Sequence, residues 1–274
     1  MRVLLVFFVF LFACGSCGSK SEKKTKPSPI SQAASDKGEF YCSKLTDAVF
    51  KERCDKITFK AMVAANCPQD LSGFEKDGRW ERDEVQCYPD NSKSSISRDG
   101  MISVLHYVWT TKDAKLLQRL INYGEAHDWI MGDGPRDLTD ATILTPMIYF
   151  IQGKLKNDST ALLDYLPTTE DIAQSFKGHV IANYIWLQAR VRGNINAVEA
   201  AILNKLWEAS MEDPMYTALM HRFVDGNQAD TFSLLLNRPE FPNDSLPTET
   251  GVFDWGSAPA SVYYLISLAI AEGK

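Results

Sequence analysis

Much of what marks common enzyme classes is missing from this 274-residue chain. It has no G-x-G-x-x-G and no Walker sequence, so neither a dinucleotide fold nor a phosphate loop is supported. It has no G-x-S-x-G elbow, which removes the usual basis for an α/β-hydrolase. Histidine is scarce: His106, His127, His179 and His221 are the only four, and none forms H-E-x-x-H. Metal catalysis is therefore not expected, and no cofactor is implied. Positive charge is in deficit, with 29 Lys and Arg against 35 Asp and Glu, a net charge of −6. A nucleic-acid binder normally carries a basic footprint, so the charge argues against that class and no nucleic-acid partner is expected. Long apolar runs are also absent. Val3 to Ala13, 11 residues, falls short of the roughly 20 that span a bilayer. What remains is a globular composition, 45% hydrophobic and 23% charged.

The beginning of the chain reads as an export signal. Met1-Arg2 supplies one positive charge, Val3 to Ala13 the apolar stretch, and a small residue precedes Cys14. The junction Leu11-Phe12-Ala13-Cys14 resembles the lipobox of bacterial lipoproteins. That resemblance implies cleavage of residues 1–13 and acylation of Cys14. It also implies a cell-envelope location with the membrane as partner. Gly15, which is not Asp, points within that family to the outer membrane. Several acyl chains on one residue anchor stably where a single chain is marginal.

Residues 14–37 read as a lipid anchor followed by a flexible tether. They are rich in Ser, Lys and Gly, carry Pro27 and Pro29, and have little to bury. The body, 38–274, then holds 23 basic and 33 acidic residues, a net of −10. Such a body repels polyanions in general, although a local basic pocket stays compatible with it.

Beyond Cys14 and Cys17, four cysteines fall early in the body: Cys42, Cys54, Cys67 and Cys87. In an exported protein they imply two disulfides that staple an N-terminal segment to the rest. Three pairings are open. A four-thiolate zinc site is the alternative, but the intervening 11, 12 and 19 residues contain no C-x2-C.

The body is helical in pattern, with no clear alternating strand. A first helix is expected over about Phe40 to Ala65. Met101, Val104, Leu105 and Val108 make one helical stripe after Ser97, a good N-cap, with Asp99 in the first turn. Asp113 caps a second helix carrying Leu116, Leu117, Leu120 and Ile121. The same helix–short turn–helix pattern joins Val180–Val191 to Val198–Trp207, and Tyr216–Phe223 to Ala229–Leu236. Further helices fit Ile143–Ile151 and Ala260–Ala271. Short turns make antiparallel neighbours, so one all-α domain of antiparallel hairpins is expected, an incomplete α/α toroid or a curved helical array.

Gly78-Arg79-Trp80-Glu81-Arg82, then Ser95-Ile96-Ser97-Arg98-Asp99-Gly100, and Asp254-Trp255-Gly256 resemble helix entries of α/α-toroid glycoside hydrolases, lyases and sugar epimerases. The likeness covers about half of the body. It implies a sugar cleft lined by helix ends and a glycan or peptidoglycan as ligand. Glycosidic cleavage needs two carboxyl groups flanking the bond. Asp99 and Asp133 are the first pair, because they bracket one antiparallel hairpin at the same end. Arg79, Arg98 and His127 would hold substrate, with Asp254 at the rim and Trp80, Trp129 and Trp255 stacking on sugar faces. Each residue also has a plainer use: Asp99 on a helix dipole, Asp133 in a Gly-Asp-Gly turn, His127 at a helix C-terminus, the arginines in ion pairs. Two functions follow. One is an envelope glycoside hydrolase or lyase, the other a non-catalytic glycan-binding or scaffold lipoprotein.

Overall fold

The computed structural model describes residues 27–50, 56–82, 96–131, 141–157, 175–246 and 258–274. Among the described residues, eleven α-helices follow in chain order: α1 Pro29–Lys44, α2 Asp47–Phe50, α3 Lys56–Val63, α4 Arg98–Thr111, α5 Ala114–Ala126, α6 Thr145–Leu155, α7 Ser175–Arg192, α8 Ala197–Ala209, α9 Pro214–Phe223, α10 Gln228–Asn237 and α11 Ala260–Glu272. The only strands among the described residues are β1 Glu75–Lys76 and β2 Arg79–Trp80, an antiparallel pair. The all-α expectation is met.

The caps explain the boundaries. The Ser97 hydroxyl accepts from Gly100 N–H at the start of α4. Asp113 Oδ1 accepts from Lys115 and Leu116 N–H, 3.0 and 2.9 Å, at the start of α5. Asn196 and Glu199 form a reciprocal capping box on α8. Between α7 and α8 the chain turns at Gly193 with φ +89°, a conformation open mainly to glycine.

Two apolar cores lie on either side of α3 and α7. One gathers α1, α8, α9, α10 and α11; the other gathers α4, α5, α6 and the hairpin. Residues of α3 and α7 enter both: Phe59 and Trp186 the first, Ile57 and Leu187 the second. Helix α11 is buried from Ala260 to Ala271, which explains why its sequence is apolar all round.

Two expectations are corrected here. The first helix does not run unbroken over Phe40–Ala65, because α1 ends at an extended Leu45 ahead of α2. The folded part also starts earlier than residue 38. Ser28 caps α1, Pro29 opens it, and Ala34 and Lys37 are buried. Gly38 lets α1 lie close on α11, since a Cβ there would meet Leu268 Cδ2 at 2.4 Å. Lys37 Nζ donates to the carbonyls of Leu235 (3.2 Å) and Leu236 (3.4 Å) at the end of α10, and to that of Phe241 just past it. A lysine is favoured there by the negative end of the helix dipole. Burial lowers its ammonium to about 8.

Between α4 and α7 sits a buried imidazole. His106 Nε2–H donates to the Asn183 carbonyl (3.0 Å), and Nδ1 accepts from Arg190 Nη1 (2.9 Å). Arg190 also donates to Thr110 Oγ1 (2.9 Å) and lies over Trp186. Both ring nitrogens are thus used in the neutral form. Burial, then the Arg190 charge, hold His106 well below the usual imidazole value of 6.5. The unfolded chain therefore takes up the proton first. Stability from this group is complete above pH 6.5 and falls as the pH drops from there toward the folded value. The loss should approach about 1.4 kcal/mol per pH unit. Urea melts at pH 7.5, 6.0 and 5.0 check this: His106→Gln should start less stable at pH 7.5 and lose less between 6.0 and 5.0.

Candidate functional site

The arginine-rich stretch before α4 is built into the fold. Trp80 is 1% exposed and belongs to the second core, so it offers no ring to a ligand, contrary to the sequence expectation. Arg79 Nη2 donates to Glu81 Oε1 at 3.0 Å, and the Glu81 side chain is 4% exposed. The plainer reading of Arg79, a structural ion pair, is the one its geometry fits. The pair of strands arises because Asp77 (φ +50°) and Gly78 (φ +94°) form the tight turn between them. Asp-Gly is the standard signal for such a hairpin, and it stands in the sequence.

Asp99 is partly exposed in the first turn of α4, where its own carbonyl accepts from the Ser103 hydroxyl (2.8 Å). Arg98 beside it is exposed. Asp133, Asp254 and Trp255 lie outside the described residues, as do Cys14, Cys54 and Cys87. Of the four body cysteines, Cys42 and Cys67 are joined in a disulfide with Cα atoms 5.4 Å apart. Those two sulfurs are bonded to each other, which removes the four-thiolate zinc alternative.

His127 and Trp129 do come together, in the turn that ends α5. Asp128 (φ +50°) and Trp129 (φ +61°) both adopt the left-handed region. That conformation costs an L-residue roughly 1–2 kcal/mol each. The turn is held by Trp129 N–H to the Gly124 carbonyl (2.7 Å), Ile130 N–H to the His127 carbonyl (2.9 Å) and Ala141 N–H to the Trp129 carbonyl (2.8 Å). The indole lies flat against α5 where Gly124 leaves room; a Cβ at 124 would stand 2.4 Å from Trp129 Cε3.

Around this half-buried indole are groups the sequence reading left out. Tyr149, on α6, meets Trp129 edge-on at 5.9 Å. Its hydroxyl donates to Glu125 Oε1 (2.8 Å). Burial, then Glu125, raise the Tyr149 phenol above its usual value. Tyr123 stacks on His127 at 4.1 Å. The imidazole Nδ1–H donates to the Tyr123 carbonyl (2.8 Å), leaving Nε2 as an acceptor facing outward on an exposed residue. Ile130 is 50% and Tyr149 39% exposed. His127 and Trp129 were expected from the sequence, and the spacing of Tyr123 from His127, the C-cap of α5, could have added Tyr123. Tyr149 could not be placed without knowing how α6 lies on α5.

Gly124→Ala should push the indole off the helix. In a nitrogen–proton spectrum of the six tryptophans, one indole resonance, Trp129, should move far more than the rest. An unmoved set would show that Gly124 does not hold the ring.

No family model matches the chain, and neither a curated protein nor a solved structure matches it.

Proposed function

We propose that this chain is a lipid-anchored protein of the bacterial envelope that binds a glycan without cleaving it, through the surface around Trp129. The observation that carries the reading is the aromatic cluster Trp129–Tyr149, with Tyr123 and His127 beside it, next to the Glu125 carboxylate. Sugars present apolar ring faces to aromatics and hydroxyls to acceptors, and both kinds of partner stand together here. The strained turn supports the same reading, since such backbone is kept where a side chain must point in a fixed direction. The enzymatic reading draws less support, because Trp80 and Arg79 are engaged in the fold. The hairpins are read as a curved array rather than an incomplete toroid, because α11 is buried from Ala260 to Ala271 within one core.

The test uses the full chain in detergent micelles, incubated with peptidoglycan and a panel of polysaccharides. Co-sedimentation measures binding and mass spectrometry detects products. Retention by at least one glycan, lost in a folded Trp129→Ala variant and without new products, supports the proposal. Products that disappear in Asp99→Asn would replace it by the hydrolase or lyase reading. Cys14→Ser should abolish labelling by a radioactive fatty acid; persistent labelling would sink the anchor assignment.

A further inference from the structure

The surface around Trp129 continues into a row of amides between α5 and α6. Gln152 Nε2–H donates to Gln118 Oε1 at 3.0 Å, and Gln118 Nε2–H donates to Asn122 Oδ1 at 2.9 Å. One turn further on, the Tyr149 hydroxyl donates to Glu125, and Trp129 closes the row. Gln118, Asn122 and Glu125 stand at i, i+4 and i+7, one stripe of α5, and Tyr149 and Gln152 face them from α6. At 1.5 Å per residue, the stripe from Gln118 to Glu125 is about 10 Å long before Trp129 is added. That is longer than one sugar ring.

We infer that this seam is a glycan subsite and that its ligand is a neutral, hydroxyl-rich chain, not an acidic one. The inference rests on the glycan-binding reading and names its ligand class. An amide both donates and accepts, which matches a hydroxyl. Each bond in the row uses one amide hydrogen, so Gln152, Gln118 and Asn122 keep others for a ligand. Among the described residues, the charged groups at the aromatic end are Glu125 and the exposed Asp128. Like charges brought together at an interface disfavour a partner, so uronic acids are selected against. Arg119 of the same helix is engaged by Glu75, at 3.0 and 3.1 Å, and Lys154 of α6 lies over the Phe150 ring. Lys115 at the start of α5 and Lys156 past the end of α6 stand at the opposite end of the seam from Trp129. The net charge of −10 on residues 38–274 acts in the same direction.

The experiment is calorimetric titration of the full chain in detergent micelles. The probes are chitohexaose and cellohexaose as neutral chains, and hexagalacturonate as the acidic one. The variants are Trp129→Ala, Gln118→Ala with Gln152→Ala, and Glu125→Gln, each checked for an unchanged thermal melt. A neutral probe should bind at least about tenfold more tightly than hexagalacturonate, a difference of about 1.4 kcal/mol. The amide double variant should lose about tenfold for the neutral probe, and Glu125→Gln should narrow the discrimination. Equal or tighter binding of hexagalacturonate that still needs Trp129 overturns the neutral-ligand inference and keeps the glycan reading. Neutral binding that ignores the amide variant overturns the seam. Failure of every probe to bind, or binding indifferent to Trp129→Ala, removes the glycan reading itself.

Discussion

Replacing Asp213 by alanine should lower the stability of the protein by about 4 kcal/mol, the sum of a lost cap and an unsatisfied buried group. Asp213 is 1% exposed and does two jobs. Its Oδ1 accepts from Met215 and Tyr216 N–H (2.9 and 3.1 Å), which caps α9 behind Pro214. Its Oδ2 accepts from the Tyr263 hydroxyl of α11 at 3.2 Å. That hydroxyl in turn accepts from His179 Nε2–H of α7. One carboxylate thus ties three helices together inside the first core. At 2–4 °C per kcal/mol for a chain of this size, the melting temperature should fall by about 10 °C. Asp213→Asn keeps an oxygen for the cap and should cost less than half as much. A circular-dichroism melt of both variants decides it. Equal losses would mean that the charge, not the cap, carries the effect. No loss in either would mean that the network is idle.

Removal of the Cys42–Cys67 bridge is the second large effect. The bridge closes a loop across a separation of 25 residues. Constraining the unfolded chain over that length contributes about 3.5 kcal/mol. The double variant Cys42→Ala with Cys67→Ala should show an unfolding free energy, extrapolated to zero denaturant, lower by that amount. The loss should also be local. Helix α1 keeps other ties, with the Tyr41 hydroxyl donating to Pro242 O (2.6 Å) and the Tyr264 hydroxyl to Ala34 O (2.8 Å). Its amides should therefore exchange hydrogen faster than those of α11 while the body stays folded. Uniform exchange across both helices would show that α1 and the first core open as one unit.

The helical elements were legible because their signals are local. Ser97, Asp113 and the apolar stripes behind them announced α4 and α5 within a residue or two, and the turn at Arg192-Gly193-Asn194 announced the pairing of α7 with α8. A cap needs only the next three residues, and a stripe only its own helix, so both can be read along the chain. Asp77-Gly78 carried an equally local signal for the hairpin and went unread, which hid the burial of Trp80.

The sequence by itself therefore determined a helical body; its cysteines set the expectation of disulfides early in that body, and the tertiary structure decided that Cys42 pairs with Cys67. The first 14 residues set the expectation of a lipid anchor. Only the tertiary structure decided which polar groups meet. Lys37 looked like part of a solvated tether because its carbonyl partners on α10 lie about 200 residues away. Gln118 and Gln152, and Glu125 and Tyr149, share one surface only because α6 packs antiparallel on α5. Contacts of that kind depend on how two helices lie against each other, and neither helix's own pattern encodes it.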